Sequence, residues 1–309
     1  MKNYPYPHQP VLYHESLKYL QPKPGGRYID GTLGTGGHSE GILIHSSPSG
    51  TVLGLDLDLE AIKIAKKRLT RFGPRIHIMQ SSYADMDTAT LESGWDSAEG
   101  IILDLGLSSL QLDTPSRGFS FQQDAPLDMR FDPSKGLSAA DLLNSLSEEE
   151  IADILWKFGD ERRSRQIAKK IVGARPIRTT TDLVTIIESA YNGRRGKTHP
   201  ATRSFQALRI AVNKELENLR TGLIKGVEIL SPGSRFLVIS FHSTEDRIVK
   251  EFFRRESTDC VCPEEQITCT CGHQATLKRI SKKPITPSQE EIGENPRARS
   301  AKLRVAEKI

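Results

Sequence analysis

Tyr28-Ile-Asp30-Gly-Thr32-Leu-Gly34-Thr-Gly36-Gly37-His38 is the stretch that decides the fold of this chain. An apolar strand runs into a glycine-rich bend, and the residues after it open a helix. About twenty residues further on, Thr51-Val-Leu-Gly-Leu-Asp56-Leu-Asp58 supplies a second strand that ends in a carboxylate. Strand, bend, helix, strand and acid form a nucleotide-binding βαβ unit. The glycines let the backbone approach a ligand where any Cβ would collide. The carboxylate at the end of the second strand can accept hydrogen bonds from ribose hydroxyls. A glycine-rich surface turn would also explain the bend alone, but not the second strand and Asp56.

The spacing narrows the ligand. A dinucleotide fingerprint reads G-x-G-x-x-G, and its third glycine lets the helix pack closely on the strand. Here the run is Asp30-x-Thr32-x-Gly34-x-Gly36, with the acid ahead of the turn and the third fingerprint glycine missing. This resembles motif I of class I S-adenosylmethionine methyltransferases, in which no pyrophosphate needs a cradle, and it argues against a dehydrogenase.

Outward from the bend, the first hundred residues alternate helix and strand signals. Residues 11–20 carry apolar positions at helical spacing, and Pro22 and Pro24 stop that helix before the first strand. A second helix is expected over 60–71, a third strand over 76–79, and a fourth at Gly100-Ile-Ile-Leu-Asp104-Leu-Gly106. Strands separated by helices predict a parallel sheet with right-handed crossovers. The alternation then stops. Residues 113–136, rich in Gly, Pro, Ser and Asp, read as loop. Ser147-Glu-Glu-Glu150 is a capping box, with Gly159 as that helix's stop. Further helices are expected from about Thr181 and, as one long helix, from about Ala201 to Leu230. Strand signals return at Arg235–His242, a helix follows, and a hairpin-like end over 277–285 and 302–309 closes the chain. The reading is an α/β sheet domain of residues 1–112 and 217–309, split by an all-α insertion of residues 113–216. The insertion leaves from the carboxyl end of the fourth strand, the edge where open α/β sheets bind ligands, so it is expected to overhang the cofactor and hold the acceptor.

The chain has 309 residues and a net charge of +4, which conceals an asymmetry. From Arg162 to Lys214 there are 13 Lys/Arg against the acids Asp182 and Glu188, whereas Asp113 to Glu161 holds four bases against eleven acids. A basic block of this kind fits a polyanion partner; a solvated helix face is the alternative. Arg162, Arg163, Arg165, Lys169 and Lys170 are expected to grip phosphates, with Arg194, Arg195 and Lys197 in a loop and Arg203 and Arg209 on the long helix. No apolar stretch reaches the roughly 18 residues of a spanning helix, and the N-terminus has no apolar signal core, so a cytoplasmic location and no membrane partner are expected. Cys260-x-Cys262 and Cys269-x-Cys271, with His273 near, have ligand types for zinc, but one residue separates each pair where two or more is usual. Free thiols in a surface loop are the other reading, and no metal ligand is assigned.

Several motifs in order resemble one family. They are Asp30–His38; Asp104-Leu-Gly-Leu-Ser108-Ser109 with Gln111-Leu-Asp; Arg117-Gly-Phe-Ser-Phe; Pro126-Leu-Asp-Met-Arg130; His199-Pro-Ala-Thr-Arg203-Ser-Phe-Gln-Ala-Leu-Arg209; Ser240-Phe-His242-Ser243 with Glu245-Asp246-Arg247; and Asn295-Pro-Arg297-Ala-Arg299-Ser. Together they resemble the bacterial ribosomal RNA small subunit methyltransferase H (MraW) family over nearly the whole length. Position 244 is Thr where the family's run has Leu, while His242, Ser243, Glu245 and Asp246 are kept. The cysteine-rich segment belongs to only some members. The resemblance implies N4 methylation of a cytosine in the decoding region of 16S rRNA with S-adenosylmethionine. It also implies cofactor contacts at Gly36, Gly37, His38, Asp56, Tyr83, Asp104 and Gln111.

Methyl transfer to nitrogen is an in-line displacement that needs the nucleophile about 3 Å from the methyl carbon. An exocyclic amine is a poor nucleophile because its lone pair is delocalised into the ring. Hydrogen-bond acceptors that hold its protons favour a more tetrahedral nitrogen, and one acceptor can take the proton that is lost. Asp104, helped by Ser108 or Ser109, is expected to orient donor or amine; a helix cap is the alternative role for each. His242, at the end of the fifth strand, can contact the base or receive a proton. It can equally be a histidine hydrogen-bonded at the sheet edge. Methylation of another acceptor and a non-catalytic ribosome assembly factor are the competing readings. The oligomeric state, monomer or homodimer, stays open.

Overall fold

The computed structural model describes residues 10–191, 199–263, 265–266 and 268–309. The chain forms two compact units, one of residues 1–106 and 217–309, the other of residues 107–216. The first unit holds seven strands: β1 (Arg27–Asp30), β2 (Thr51–Asp56), β3 (Ile76–Gln80), β4 (Ala98–Asp104), β5 (Leu230–Ser240), β6 (Leu277–Arg279) and β7 (Lys302–Lys308). Their order is β3-β2-β1-β4-β5-β7-β6. Strands β1 to β5 pair in parallel, and β7 runs antiparallel to both β5 and β6. The parallel strands are apolar on both faces because helices cover both, as the buried Ile29, Val52, Leu53, Leu55, Ile101, Ile102 and Leu103 show. The closing hairpin is shorter than its sequence signal, since Ile285 contributes only an isolated bridge to Leu303.

The second unit has its own core, with Leu143, Ile151, Leu155, Ile167, Ile171, Leu183, Ile187 and Leu208 at its centre. Its first residues include the helix Ser109–Asp113, so Ser108, Ser109 and Gln111 fall in this unit. The capping box forms as read: Ser147 Oγ accepts from Glu150 N and Glu150 Oε2 accepts from Ser147 N.

Two helix readings are corrected. The single helix expected over 201–230 is two, Ala201–Asn213 and Glu215–Ile229, broken at Lys214 with a left-handed φ of 50°. The apolar spacing runs through the break, so periodicity conceals it. The Asn213 side chain enforces it, donating to Met129 O and Arg209 O and accepting from Phe131 N. Gly159 is the second correction. The left-handed residue that ends the helix Glu148–Gly159 is Asp160, at φ 49°. Gly159 is there for close packing: a Cβ would stand 2.5 Å from Arg203 O and 3.1 Å from Ala207 Cβ. Gly159→Ala is therefore expected to destabilise the second unit by about 1–3 kcal/mol, because backbone must move. Denaturant unfolding with the midpoint unchanged would contradict this.

Candidate active site

Three neighbouring parallel strands each end in a carboxylate: β2 in Asp56, β1 in Asp30 and β4 in Asp104. Asp30 is buried and serves the turn itself. Its Oδ2 accepts from Ser39 Oγ at 2.7 Å and its Oδ1 from Thr32 N at 3.3 Å. Burial raises its pKa, against the opposing pull of His38. Asp56 is half-buried; its Oδ2 accepts from Gly34 N at 2.7 Å and its Oδ1 from Asp58 N at 2.9 Å. Burial pushes its pKa up to about 6 in spite of these donors. At Asp104 the backbone N–H donates to Thr32 Oγ1 at 2.6 Å, locking β4 to the turn.

The Asp104 carboxylate itself is largely uncommitted. Its Oδ1 is buried with no hydrogen-bond partner. Its Oδ2 stands 3.5 Å from His38 Nε2, without the alignment of a hydrogen bond. His38 is 5% exposed, its ring stacks on Tyr13 at 6.4 Å, and neither ring nitrogen has a hydrogen-bond partner. Buried polar atoms are nearly always paired, so three orphans in one place mark where a polar ligand belongs. Gly36 closes the turn at φ 85° and caps the helix Gly37–His45; a Cβ there would press on Leu69 at 3.0 Å. Gly37 owes its small size to Pro10, whose Cγ would lie 2.3 Å from an added Cβ.

Other residues not foreseen from sequence hold this turn in place. The Arg68 guanidinium donates to Glu40 Oε2 from Nε at 3.0 Å and from Nη2 at 2.7 Å, and Arg71 reaches Glu40 Oε1 at 2.9 Å. This ties the helix Gly37–His45 to the helix Leu59–Leu69. Breaking a buried pair of this kind costs about 3–5 kcal/mol. Acid and base 28 positions apart carry no local pattern, so only the fold reveals the pairing.

Tyr83 lies in the short turn after β3, half-buried, with its ring packed on Gly222: a Cβ there would stand 2.6 Å from Tyr83 Cδ2. His242 is the N-cap of the helix Ser243–Arg255. Its Nδ1 accepts from Glu245 N at 3.4 Å, while Glu245 Oε2 accepts from Phe241 N and His242 N. The fold thus uses one ring nitrogen and leaves Nε2, 3.1 Å from Glu245 Oε1, without a hydrogen bond. Beside it opens a cavity of about 290 Å³ lined by Phe241, His242, Ser243, Arg299 and Lys302 among others. Arg299 had no role assigned from sequence, although it stands in a quoted motif.

In the second unit, Ser108 caps the helix Ser109–Asp113. Its Oγ accepts from Gln111 N at 3.2 Å and Gln111 Oε1 accepts from Ser108 N at 3.1 Å. Ser108 and the buried Gln111 therefore hold each other, and Ser109 opens the helix. Among the basic residues, Arg162, Arg165, Lys169, Lys170 and Arg203 are exposed. Arg163 and Arg209 are committed to the fold and leave the phosphate-binding set. Arg163 donates to Ala190 O and stacks 4.7 Å over Tyr191. Arg209 makes a bidentate pair with Glu215 at 2.7 and 2.8 Å, with the two side chains 13% and 7% exposed. Arg194, Arg195 and Lys197 lie outside the described residues.

The strand order, its one reversed strand and the row of strand-end carboxylates around a glycine turn define a class I S-adenosylmethionine-dependent methyltransferase. Residues 5–309 match the model of the MraW methylase family, and the chain belongs to that family. It is 50% identical over 304 residues to the ribosomal RNA small subunit methyltransferase H of Dehalococcoides mccartyi (strain 195), covering 98% of this chain and 87% of that one. The proteins of the same name from Thermomicrobium roseum and from Geobacter sp. (strain M21) are 50% and 51% identical. Each alignment covers 98% of this chain, with 94% and 98% of the relative. Among the described residues, no helix is long and apolar enough to cross a membrane.

Proposed function

We propose that the chain methylates the exocyclic N4 amine of a cytosine in the decoding region of 16S rRNA. The observation that carries this is the unpaired, buried Oδ1 of Asp104 beside the orphaned His38, at the carboxyl edge of a methyltransferase sheet. S-adenosylmethionine, when bound, supplies a methyl group made electrophilic by a positive sulfur. The residues present fit it: Asp56 offers carboxylate oxygens for ribose hydroxyls, Gly36 leaves the turn bare of side chain, and His38 and Asp104 offer unpaired polar atoms. Tyr83 closes the wall after β3. Asp104 Oδ1 accepts an N–H of the cytosine amine. This draws the nitrogen towards a tetrahedral shape and gives the proton lost after transfer a place to go. His242 lines, with Arg299 and Lys302, a cavity suited to the target strand.

A base held in folded RNA must leave its stack to be methylated, so the RNA backbone needs a grip elsewhere. Arg162, Arg165, Lys169, Lys170 and Arg203 provide it, with Arg165 and Lys169 one turn apart on the helix Ser164–Gly173 and away from its buried Ile167, Ala168 and Ile171. Replacing Arg162, Arg165, Lys169 and Lys170 with alanine is expected to weaken binding to 16S rRNA about tenfold or more and to reduce the slope of log affinity against log salt by roughly 3. An unchanged slope returns these residues to the solvated-face reading.

The function is tested by tritiated methyl transfer to 16S rRNA and to 30S particles, followed by nucleoside identification. Label in N4-methylcytidine is expected. Label in another nucleoside or in protein favours a different acceptor, and no label on either substrate favours the assembly-factor reading.

A further inference from the structure

The loop between the helix Ser243–Arg255 and β6 has no apolar core of its own, because none of its described residues from Ser257 to Thr276 is buried. Its ends are pinned. Thr276 N and Leu277 N donate to Glu256 O at 2.9 Å, Ala275 N donates to Asp259 Oδ1 at 3.2 Å, and His273 Nε2 lies 3.0 Å from Arg255 O. Long loops without secondary structure are uncommon in compact domains unless something organises them.

At the centre of this loop four thiols converge. Cys260, Cys262, Cys269 and Cys271 place their sulfurs within 4.8 Å of one another. The separations are 3.5 Å for Cys260–Cys269, 4.0 Å for Cys262–Cys269, 3.6 Å for Cys269–Cys271 and 3.9 Å for Cys260–Cys271. Four sulfurs about 2.3 Å from one tetrahedral zinc ion stand about 3.8 Å apart. The observed separations bracket that value. They are far from the roughly 2.05 Å of a disulfide bond.

We infer that these four cysteines form a structural zinc site. A closed set of four thiolates leaves no position for water or substrate, which is the pattern of a structural ion and not of a catalytic one. The surroundings agree. Val261 N and His273 N both donate to Cys271 Sγ at 3.5 Å, the kind of N–H contact that stabilises a metal-bound thiolate. Gly272, at φ 61°, makes the left-handed turn that lets the chain fold back directly after a ligand. His273 is held at Arg255 O and stays outside the ligand set. The one-residue spacing that made the sequence signal weak is met because the two pairs of cysteines come together across the loop. The site lies beyond the C-terminus of the helix Ser243–Arg255, about 20 Å of helix away from its N-cap His242. Its role is to clip the loop, not to take part in transfer.

The test uses the full chain, purified without chelator, and elemental analysis. About one zinc per chain is expected, released by a thiol-reactive mercurial, and less than roughly a tenth of that in the Cys269→Ser/Cys271→Ser variant. That variant is expected to keep the wild-type affinity for S-adenosylmethionine, which shows that metal loss is not a failure to fold. Cobalt added to the reduced, metal-free chain is expected to give the intense visible bands of a tetrahedral thiolate site. Wild-type protein without zinc and without that cobalt spectrum overturns the inference. So does protein carrying iron in its place, or protein whose four cysteines are found as disulfides by mass spectrometry under non-reducing conditions.

Discussion

Asp104→Ala is expected to lower methyl-transfer turnover by about 10²–10⁴ while leaving the thermal unfolding midpoint close to wild type. The two halves of this expectation have separate structural causes. The bond that Asp104 contributes to the fold is made by its backbone N–H to Thr32 Oγ1, and alanine keeps it. Its carboxylate contributes nothing comparable: Oδ1 is buried and unpaired, and Oδ2 has only His38 Nε2 at 3.5 Å. An uncompensated carboxylate held in place at a sheet edge is a cost to stability that function explains. Donor affinity measured by titration calorimetry separates its two candidate jobs. A turnover loss with donor Kd changed by less than about tenfold places the carboxylate on the acceptor amine, since the missing interaction is then one made in the transition state. A donor Kd that rises as far as turnover falls places it on the methionine end of the donor. Full activity in the variant discards both.

The parts of this molecule that were legible in sequence are those whose signal is local. β1, β2, β4 and β5 announce themselves as apolar runs because helices bury both faces, and the strand-end acids Asp30, Asp56 and Asp104 follow from the glycine turn and its spacing. The Ser147–Glu150 capping box was legible for the same reason, since four consecutive residues contain the whole interaction. Where the cause is tertiary the reading failed. The break at Lys214 depends on Asn213 bonding to residues 129 and 131, and nothing within 201–230 records it. Gly159 looked like a helix stop, yet its neighbour across the unit, Arg203 O, is what excludes a side chain. Charge counting could not distinguish Arg165, which is exposed, from Arg209, which is locked to Glu215. His242 shows the same limit at the site: its position at the end of β5 was readable, but its use as a helix cap was not, because histidine is an uncommon cap and its partner Glu245 belongs to the family motif. The four cysteines were visible as a group, and only the folded loop shows that their sulfurs meet.

Donor binding is expected to weaken as pH falls through about 6, and Asp56 is the cause. Burial holds its pKa up to about 6, although Gly34 N and Asp58 N both donate to it. The sign follows from the chemistry of the contact. A ribose offers hydroxyl donors, and the ionised carboxylate accepts them; the protonated acid has lost an acceptor and gained a donor. Binding is therefore fully developed above the folded-state pKa and is lost below it. If only the ionised form binds, a group titrating at about 6 makes the apparent Kd at pH 5 about tenfold higher than at pH 7.5. Asp56→Ala should raise the donor Kd by about 10²–10⁴ at pH 7.5, from two lost hydrogen bonds to a charged acceptor, each worth about 1.5–3 kcal/mol. It should also flatten the pH profile between 5 and 7.5. Asp56→Asn keeps one acceptor oxygen at every pH and should fall between the two in affinity, with the profile equally flat. Titration calorimetry across that range reads all three chains. A wild-type profile that is already flat would mean that Asp56 stays ionised to lower pH, its desolvation offset by the turn's N–H donors. A pH dependence that survives in Asp56→Asn would move the titrating group elsewhere, and the buried Asp30 next to it on β1, whose pKa is also raised by burial, would be the group to replace next.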